Sequence, residues 1–213
     1  MSPFPVILSA PSGGGKTTIA KALLARRSDL GYSVSCTTRS PRPDEIAGRD
    51  YYFMSRAEFL AERGRGAFAE SAEVHGNLYG TLRREVERVL GGGRHVVMDI
   101  DVQGAVQFVR AFPQSVTIFI LPPSAEILLG RLRSRQTESP AQLAARLQSA
   151  LQELQQVDEY EYVVVNDDLE RAIASVASIV DAEFVSRERV KNLREQVALL
   201  IERLEQEIEN TTP

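Results

Sequence analysis

Cysteine and histidine are scarce in this chain of 213 residues, which has one cysteine, Cys36, and two histidines, His75 and His95. A single cysteine cannot form a disulfide within the chain, which fits a reducing compartment and excludes a zinc cluster built on cysteines. Two histidines leave no constellation of metal ligands either. We expect Cys36 to be a small buried side chain, His75 to lie in a loop and His95 to begin a strand.

Long apolar runs and an excess of basic charge are also absent. No run approaches the roughly 18 to 20 apolar residues of a membrane-spanning helix, and the start, MSPFPVILSAPSGGGK, lacks the pattern of a signal peptide. The 25 Lys and Arg residues against 29 Asp and Glu give a formal net charge of −4, so no general basic field exists for nucleic acid. We therefore expect a cytoplasmic protein that binds neither membranes nor nucleic acids.

Short apolar runs alternate with longer segments of helical periodicity, which is typical of a doubly wound α/β fold. Strands are predicted at Val6–Ala10, Ser33–Thr38, His95–Ile100, Val116–Leu121 and Tyr162–Val165. We expect these strands to form one sheet. Helices are predicted at Thr17–Arg27, Ser55–Arg63, Leu82–Leu90, Ser124–Arg135 and Pro140–Val157, with a long one from Asp168 to about Ile208.

The segment between Thr38 and Gly80 interrupts this alternation with prolines, glycines and clustered aromatic residues. Tyr51, Tyr52 and Phe53 are predicted to alternate in a strand, with at least one side chain in a core. The segment therefore indicates a subdomain inserted into the α/β core rather than a linker.

A phosphate-binding loop is the most specific motif. It matches at every defined position except the first, where alanine replaces glycine, and it reads Ala10-Pro11-Ser12-Gly13-Gly14-Gly15-Lys16-Thr17. A strand before it and a helix after it let the loop amides surround a polyphosphate, while Lys16 reaches the outer phosphates and Thr17 binds magnesium. The apolar run HVVMD ends in Asp99, which either positions magnesium or its water or simply ends a buried strand.

Arginines suggest how a phosphate acceptor could be held. Arg39 and Arg42 lie on a proline-stiffened loop and suit a bidentate grip on a terminal phosphate monoester. Arg131 and Arg135 share one face of a predicted helix, which either closes over a transferred phosphoryl group or is an exposed basic surface.

Glu70, taken alone, is most simply a surface acid.

Five motifs occurring in order resemble the guanylate kinases, from about Val6 to about Glu183. They are the phosphate-binding loop, the segment from Ser35 to Phe53, Glu70, the stretch NLYGT at 77–81 and the stretch DIDVQG at 99–104. The resemblance implies a P-loop core with a doubly wound parallel sheet, an inserted mixed α/β subdomain that binds a nucleoside monophosphate, and a helical lid. It assigns 38–81 to the GMP-binding subdomain, 125–146 to the lid, and 1–37, 82–124 and 147–213 to the core.

The resemblance also implies the reaction, which is reversible and Mg²⁺-dependent phosphoryl transfer from ATP to GMP, or dGMP, in purine nucleotide metabolism. The residues that would bind ATP are Ala10, Pro11, Ser12, Gly13, Gly14, Gly15, Lys16, Thr17, Thr18, Arg131, Arg135, Asn166 and Asp167. Those that would bind GMP are Ser35, Arg39, Arg42, Tyr51, Glu70, Tyr79, Thr81, Asp99, Asp101 and Gly104. The catalytic residues would be Lys16, Arg39, Arg42, Arg135 and Arg146, and those at the metal Thr17 and Asp99.

The chemistry of the base agrees with this assignment. Guanine presents N1–H and an exocyclic amine as adjacent donors, which the Glu70 carboxylate can accept, and its O6 accepts from the Thr81 hydroxyl. Adenine has the opposite pattern and would leave buried polar groups unpaired. Many guanylate kinases have serine where Thr81 stands, and threonine keeps the hydroxyl.

Four alternatives stay open at this point. The acceptor could be AMP, dAMP or a pyrimidine monophosphate, or the chain could be a guanylate-kinase-like scaffold without catalysis, although the complete phosphate-binding loop is unusual for such scaffolds. Asn166 or Asp167 could cap a helix, lie near adenine, or do both. The seam of Val190, Leu193, Val197, Leu200 and Leu204 either packs on the chain's own core, which we favour, or forms a homo-oligomer contact.

Overall fold

The large sheet has five strands, and every neighbouring pair in it is parallel. This computed structural model describes residues 2–74, 76–133 and 140–211, so His75, Arg135 and Gln136 lie outside the described residues. In spatial order the strands are β2 (Leu30–Tyr32), β7 (His95–Asp99), β1 (Pro5–Ser9), β8 (Val116–Leu121) and β9 (Tyr162–Val165). The predicted α/β class is confirmed.

Helices cover both faces of this sheet, as a parallel sheet requires. Side chains alternate along β1, so Val6 and Leu8 enter one core cluster while Ile7 enters the other. The first face packs against α1 (Lys16–Arg26) and α7 (Leu169–Phe184). The second packs against α3 (Arg83–Gly91) and α4 (Val102–Ala111). The fold is therefore doubly wound.

A second, smaller sheet is built from the segment between β2 and α3. Its strands in spatial order are β4 (Tyr52–Phe53), β3 (Cys36–Thr37), β6 (Asn77–Leu82) and β5 (Phe68–Val74). With α2 (Arg56–Gly64) it encloses a core of its own, formed by Cys36, Phe59, Phe68, Leu78 and Leu82. The interrupted pattern in this part of the sequence thus marks a separate packing unit, and Cys36 is buried in it as expected.

One predicted strand lies in a different sheet, and the structure contains a hairpin and a helix that the sequence patterns do not predict. The predicted strand Ser33–Thr38 does not join the large sheet, because Leu30–Tyr32 takes that place and Cys36–Thr37 pairs with β4 and β6 instead. The hairpin of β5 and β6 was not predicted, nor was α4. A buried face of α4 at spacings of three, Val102, Ala105 and Phe108, is the helical signal.

The remaining helices are α5 (Ala125–Arg133), α6 (Pro140–Leu154) and α8 (Leu193–Thr211). The single long helix predicted to begin at Asp168 is wrong. The chain leaves α7 at Phe184 and passes through a 3₁₀ turn at Arg187–Arg189. Asn192 then has φ 54°, a left-handed conformation that a right-handed helix cannot contain.

The C-terminal helix α8 buries none of its residues. From Val197 onward its large apolar side chains are exposed, Leu200 by 65% and Leu204 by 64%. The favoured prediction that this seam packs on the chain's own core is therefore wrong. No helix in the described part of the chain is both long and apolar enough to cross a membrane.

Candidate functional site

The loop between β1 and α1 has the backbone geometry of an anion-binding turn. The Gly14 amide donates to the Pro11 carbonyl at 2.7 Å, and Gly13 and Gly15 have φ of 83° and 99°. These positive values favour glycine. A Cβ on Gly15 would also lie 2.5 Å from the side-chain nitrogen of Asn166. The loop therefore requires glycine where the sequence has it, and it leads into the N-terminus of α1 at Lys16.

Asn166, directly after β9, holds this loop by a hydrogen bond. Its buried Nδ2 donates to the Gly14 carbonyl at 3.0 Å. The alternative that Asn166 or Asp167 caps the next helix is wrong, because Asp168 caps α7 by accepting from the Arg171 amide at 2.8 Å. Asp167 is exposed and lies 3.6 Å from Arg171.

Thr17 and Asp99, the two residues expected at a metal, are brought together by the pairing of β1 with β7. The Thr17 hydroxyl donates to Asp99 Oδ2 at 2.5 Å. The Tyr32 hydroxyl donates to Asp99 Oδ1 at 3.3 Å. Tyr32 was not identified from the sequence, because its role depends on β2 lying next to β7.

A hydroxyl beside a carboxylate offers the oxygen ligands that Mg²⁺ prefers, and Mg²⁺ commonly combines one or two such ligands with substrate phosphates. Within residues 2–74, 76–133 and 140–211, no group of three His, Cys, Asp or Glu side chains could hold a metal ion. Thr17 and Asp99 thus fit a nucleotide-bound Mg²⁺ better than a metal held by protein alone.

Arg39 is held by Glu45, a residue that sequence analysis did not identify. The Glu45 carboxylate accepts hydrogen bonds from both terminal nitrogens of Arg39, at 2.7 and 2.8 Å, and from the Arg42 amide at 2.8 Å. The Arg39 guanidinium lies 5.3 Å from the centre of the Tyr51 ring, while its buried Nε has no hydrogen-bond partner. Hydrogen bonding to Arg39 lowers the pKa of Glu45 to about 2.

Glu70 forms the centre of a buried polar cluster. It is 6% exposed, and its Oε1 accepts from the Thr81 hydroxyl at 2.6 Å; the Ser35 hydroxyl lies 3.4 Å from that of Thr81. A Cβ on Gly104 would lie 2.9 Å from Glu70 Oε2, so glycine makes room for the carboxylate. Asp101 caps α4 by accepting from the Gly104 amide at 2.8 Å.

The protonation of Glu70 reflects this burial. Desolvation raises its pKa to about 7, and the nearby charge of Asp101 acts in the same direction, while the Thr81 hydroxyl opposes it. A carboxyl group with this pKa changes charge near neutral pH. The expectation of an ordinary surface acid for Glu70 taken alone is therefore wrong, and a shifted pKa in a cleft is a common mark of a functional site.

The phosphate-binding loop and the Glu70 cluster open into one cavity of about 300 Å³. Its lining combines residues of both sets: Ser12, Lys16, Thr17, Ser35, Tyr51, Glu70, Val74, Tyr79, Gly80, Asp99, Ile100, Asp101, Ser149 and Glu153. The arrangement places an anion-binding loop and a carboxylate that can accept from a base around a shared space.

Comparison with known proteins supports a specific family. A sequence model described as Guanylate kinase matches residues 2–183. The chain is 48% identical over 202 residues to a guanylate kinase from Chelativorans sp., covering 94% of this chain and 93% of the relative. The chain belongs to the guanylate kinase family. A second guanylate kinase, from Rhizobium meliloti, is 49% identical over 193 residues, which cover 90% of this chain and 88% of the relative.

A solved structure leads to the same family. The crystal structure of guanylate kinase from Anaplasma phagocytophilum has a TM-score of 0.75 and 36% identity, and the match covers 91% of this chain and 93% of that one. Like other guanylate kinases, this enzyme transfers a phosphoryl group from ATP to GMP and forms GDP. The alternatives of a non-catalytic scaffold and of another acceptor are thereby set aside.

The arginines expected in the lid of this guanylate kinase lie beside the loop where the structure describes them. Arg131 Nη1 is 3.5 Å from the Gly14 carbonyl. Arg146, which is 6% exposed, donates to the Leu132 carbonyl at 2.9 Å and lies 3.4 Å from the Ser12 hydroxyl. The third, Arg135, lies outside the described residues.

Proposed function

We propose that this enzyme binds ATP along residues 10–18 and GMP around Glu70, with the phosphates of both meeting in the shared cavity. The observation that carries the proposal is this common cavity, because phosphoryl transfer requires donor and acceptor in one water-poor space. Arg131 and Arg135 are further ATP-binding residues of the proposal, and we assign Asn166 and Asp167 to the adenine end of the ATP site.

The acceptor phosphate is held by Arg39 and Arg42 together with Ser35, Tyr51 and Tyr79. The buried, unpartnered Arg39 Nε supports this, since a phosphate oxygen would supply the missing acceptor. Both arginines sit on one loop that the carboxylate of Glu45 ties together.

Guanine is recognised by Glu70, Thr81 and Asp101, with Gly104 leaving space for the carboxylate. Ionised Glu70 accepts from guanine N1–H and the exocyclic amine. Adenine lacks this pair of adjacent donors, so it would leave the buried polar groups of the pocket unpaired. We extend the proposal to dGMP, which carries the same base and the same phosphate.

Transfer depends on alignment and charge neutralisation. The acceptor phosphate has a second pKa near 6, so at neutral pH it is largely a dianion and needs no strong general base. Lys16 and the lid arginines Arg135 and Arg146 stabilise negative charge on the transferred group, and Arg39 and Arg42 align the attacking oxygen. The same contacts serve the reverse reaction.

Magnesium is the proposed cofactor, and the oxygen donors of Thr17 and Asp99 fit it. When bound with ATP it would supply further neutralisation of the phosphate charge. Before it binds, Tyr32 and Thr17 hold both carboxylate oxygens of Asp99, which keeps that side chain oriented.

The proposed division of the chain assigns 38–81 to GMP binding, 125–146 to the lid, and 1–37, 82–124 and 147–213 to the core. At its boundaries, Cys36, Thr37 and Leu82 pair in the small sheet and so pack with the GMP-binding part. We expect the first two to close over both nucleotides, since an open site would let water accept the phosphoryl group. Small-angle scattering with and without a bisubstrate analogue of ATP and GMP tests this, and an unchanged profile would contradict it. A cytoplasmic location is proposed from the sequence alone.

A homo-oligomer contact through α8 is also proposed, because the apolar seam of Leu193, Val197, Leu200 and Leu204 has no buried residue. Truncation after Arg187 followed by light scattering tests it. A lower mass than the full chain's oligomer supports the contact, and an unchanged assembly contradicts it.

Lys16→Ala tests the central assignment. We expect kcat to fall about 100-fold or more, as for loss of one electrostatic stabiliser of a transition state, with the fold unchanged by circular dichroism. Lys21→Ala is the matched control, since Lys21 is an exposed lysine on the same helix. Unchanged turnover in a folded Lys16→Ala variant would refute the assignment of the loop.

A further inference from the structure

The last turn of α6 reaches the phosphate-binding loop through Glu153. Its Oε2 accepts from the Ser12 amide at 2.8 Å, although the two residues are 141 positions apart in the chain. Glu153 also lines the shared cavity with Lys16 and Asp101. Burial raises the pKa of Glu153, while the bond from the Ser12 amide and the charge of Lys16 oppose that rise.

The same helix also contacts Ser12 through Arg146. Arg146 precedes Glu153 by seven residues, which is about two helical turns, so both side chains leave α6 on one face. The Nε and Nη2 atoms of Arg146 each lie 3.4 Å from the Ser12 hydroxyl, and Nη1 donates to the Leu132 carbonyl at 2.9 Å. Ser12 is therefore held at its amide by Glu153 and at its hydroxyl by Arg146.

A carboxylate in this place cannot attract the phosphates of ATP, since both are anions. Its contribution must come through the loop that it holds. The three glycines after Ser12 leave the loop backbone with unusual conformational freedom, and a charge-assisted hydrogen bond at the residue before them restrains it.

We propose that Glu153 is a positioning residue of the reaction, which fixes the Ser12 amide and keeps α6 in place against the loop, so that Arg146 reaches the transferred phosphoryl group. The inference rests on the proposed ATP site. It concerns phosphoryl transfer and leaves the binding of GMP to other residues.

The test compares Glu153→Ala and Glu153→Gln with the control Asp158→Asn, which alters an exposed carboxylate in the 3₁₀ turn after α6. We expect Glu153→Ala to lower kcat about 10-fold to 100-fold, the usual effect of losing a hydrogen bond to a charged group. The Kd for GMP should change less than about twofold. Hydrogen exchange of residues 10–17 in the nucleotide-free protein should become faster.

Glu153→Gln should recover kcat to within about threefold, because its amide oxygen can accept the same bond. Wild-type kcat and exchange in Glu153→Ala would overturn the proposal, as would a Gln variant as impaired as Ala. If Glu153→Ala does not fold, Glu153→Asp takes its place, since its shorter side chain withdraws the carboxylate from the amide. An Asp variant that matches the wild type would then overturn the proposal.

Lys16→Ala, measured in parallel, separates this inference from the proposed function. Loss of turnover in Lys16→Ala with unaffected Glu153 variants rejects only the role of Glu153. Unchanged turnover in a folded Lys16→Ala variant rejects the assignment of the loop itself.

Discussion

The binding of GMP should depend on pH through Glu70. Its pKa is raised to about 7, and guanine N1–H and the exocyclic amine need the ionised carboxylate as acceptor. A raised carboxyl pKa means that the empty site holds its proton up to about neutral pH, so binding must expel the proton below that value. The apparent KM for GMP should therefore rise as the pH falls through 7.

The magnitude follows from the ionised fraction. With a pKa of about 7, roughly 10% of the Glu70 carboxyls are ionised at pH 6 and roughly 90% at pH 8. The KM for GMP should accordingly be about tenfold higher at pH 6 than at pH 8, measured by steady-state kinetics at saturating ATP. The acceptor phosphate, with its second pKa near 6, adds a smaller dependence of its own.

Glu70→Gln isolates the contribution of the carboxyl, because this variant retains only the dependence that comes from the phosphate. Glu73→Gln is the matched control, an exposed acid on the same strand that pairs with Arg56 at 3.1 Å. A KM for GMP that stays flat between pH 6 and 8, or a profile that is the same in Glu70→Gln, would refute the reasoning.

Three further predictions each concern a single residue. Gly15→Ala should lower kcat/KM for ATP at least about 10-fold, because φ is 99° and the new Cβ would meet the Asn166 side chain; wild-type kinetics would contradict this. Glu45→Gln should raise the KM for GMP about 10-fold while the neighbouring control Asp44→Asn does not, and equal values in both would count against the pairing with Arg39. Desolvation lowers the pKa of His95 below 6.5, so the folded state binds fewer protons than the unfolded state, and thermal stability should fall as the pH drops below 6.5. A His95→Gln variant with the same acid sensitivity as the wild type would exclude that cause.

The sequence predicts those parts of the fold whose pattern is local and strong. The strands around Val6, Val97 and Ile118 are apolar runs buried on both faces, and such runs are recognisable without a structure. The strand Leu30–Tyr32 has only three residues, one of which is a glycine, and this is too short for a periodic pattern. The hairpin of β5 and β6 is largely buried, but its sequence mixes apolar residues with charged, polar and small ones, so its alternation is weak.

The break before α8 also needed the structure. The apolar spacing continues from Val190 through Leu204, so periodicity alone extends one helix across the gap. The left-handed backbone of Asn192 ends that continuity. Whether the apolar seam is covered depends on the direction in which α8 leaves the core, which no local pattern encodes.

Site residues divide in a similar way. Those within contiguous motifs, such as Lys16 and Arg39, could be named from the chain. Glu45 lies six residues from Arg39, and an acid at that distance on a proline-stiffened loop indicates a possible ion pair with the arginine. Glu153 and Tyr32 act across elements distant in sequence, so only tertiary pairing reveals them.

The most direct test of the account is a coupled assay of ADP release with ATP and Mg²⁺, which compares GMP, AMP, UMP and CMP at equal concentration. We predict turnover that is selective for GMP by about 100-fold or more, because the other bases lack the adjacent donors that the buried Glu70 carboxylate, which holds only the Thr81 hydroxyl in the empty site, would accept from. Comparable turnover with AMP would contradict the assignment of the guanine pocket. The absence of turnover with every acceptor, from folded protein that still binds GMP, would contradict the catalytic account as a whole.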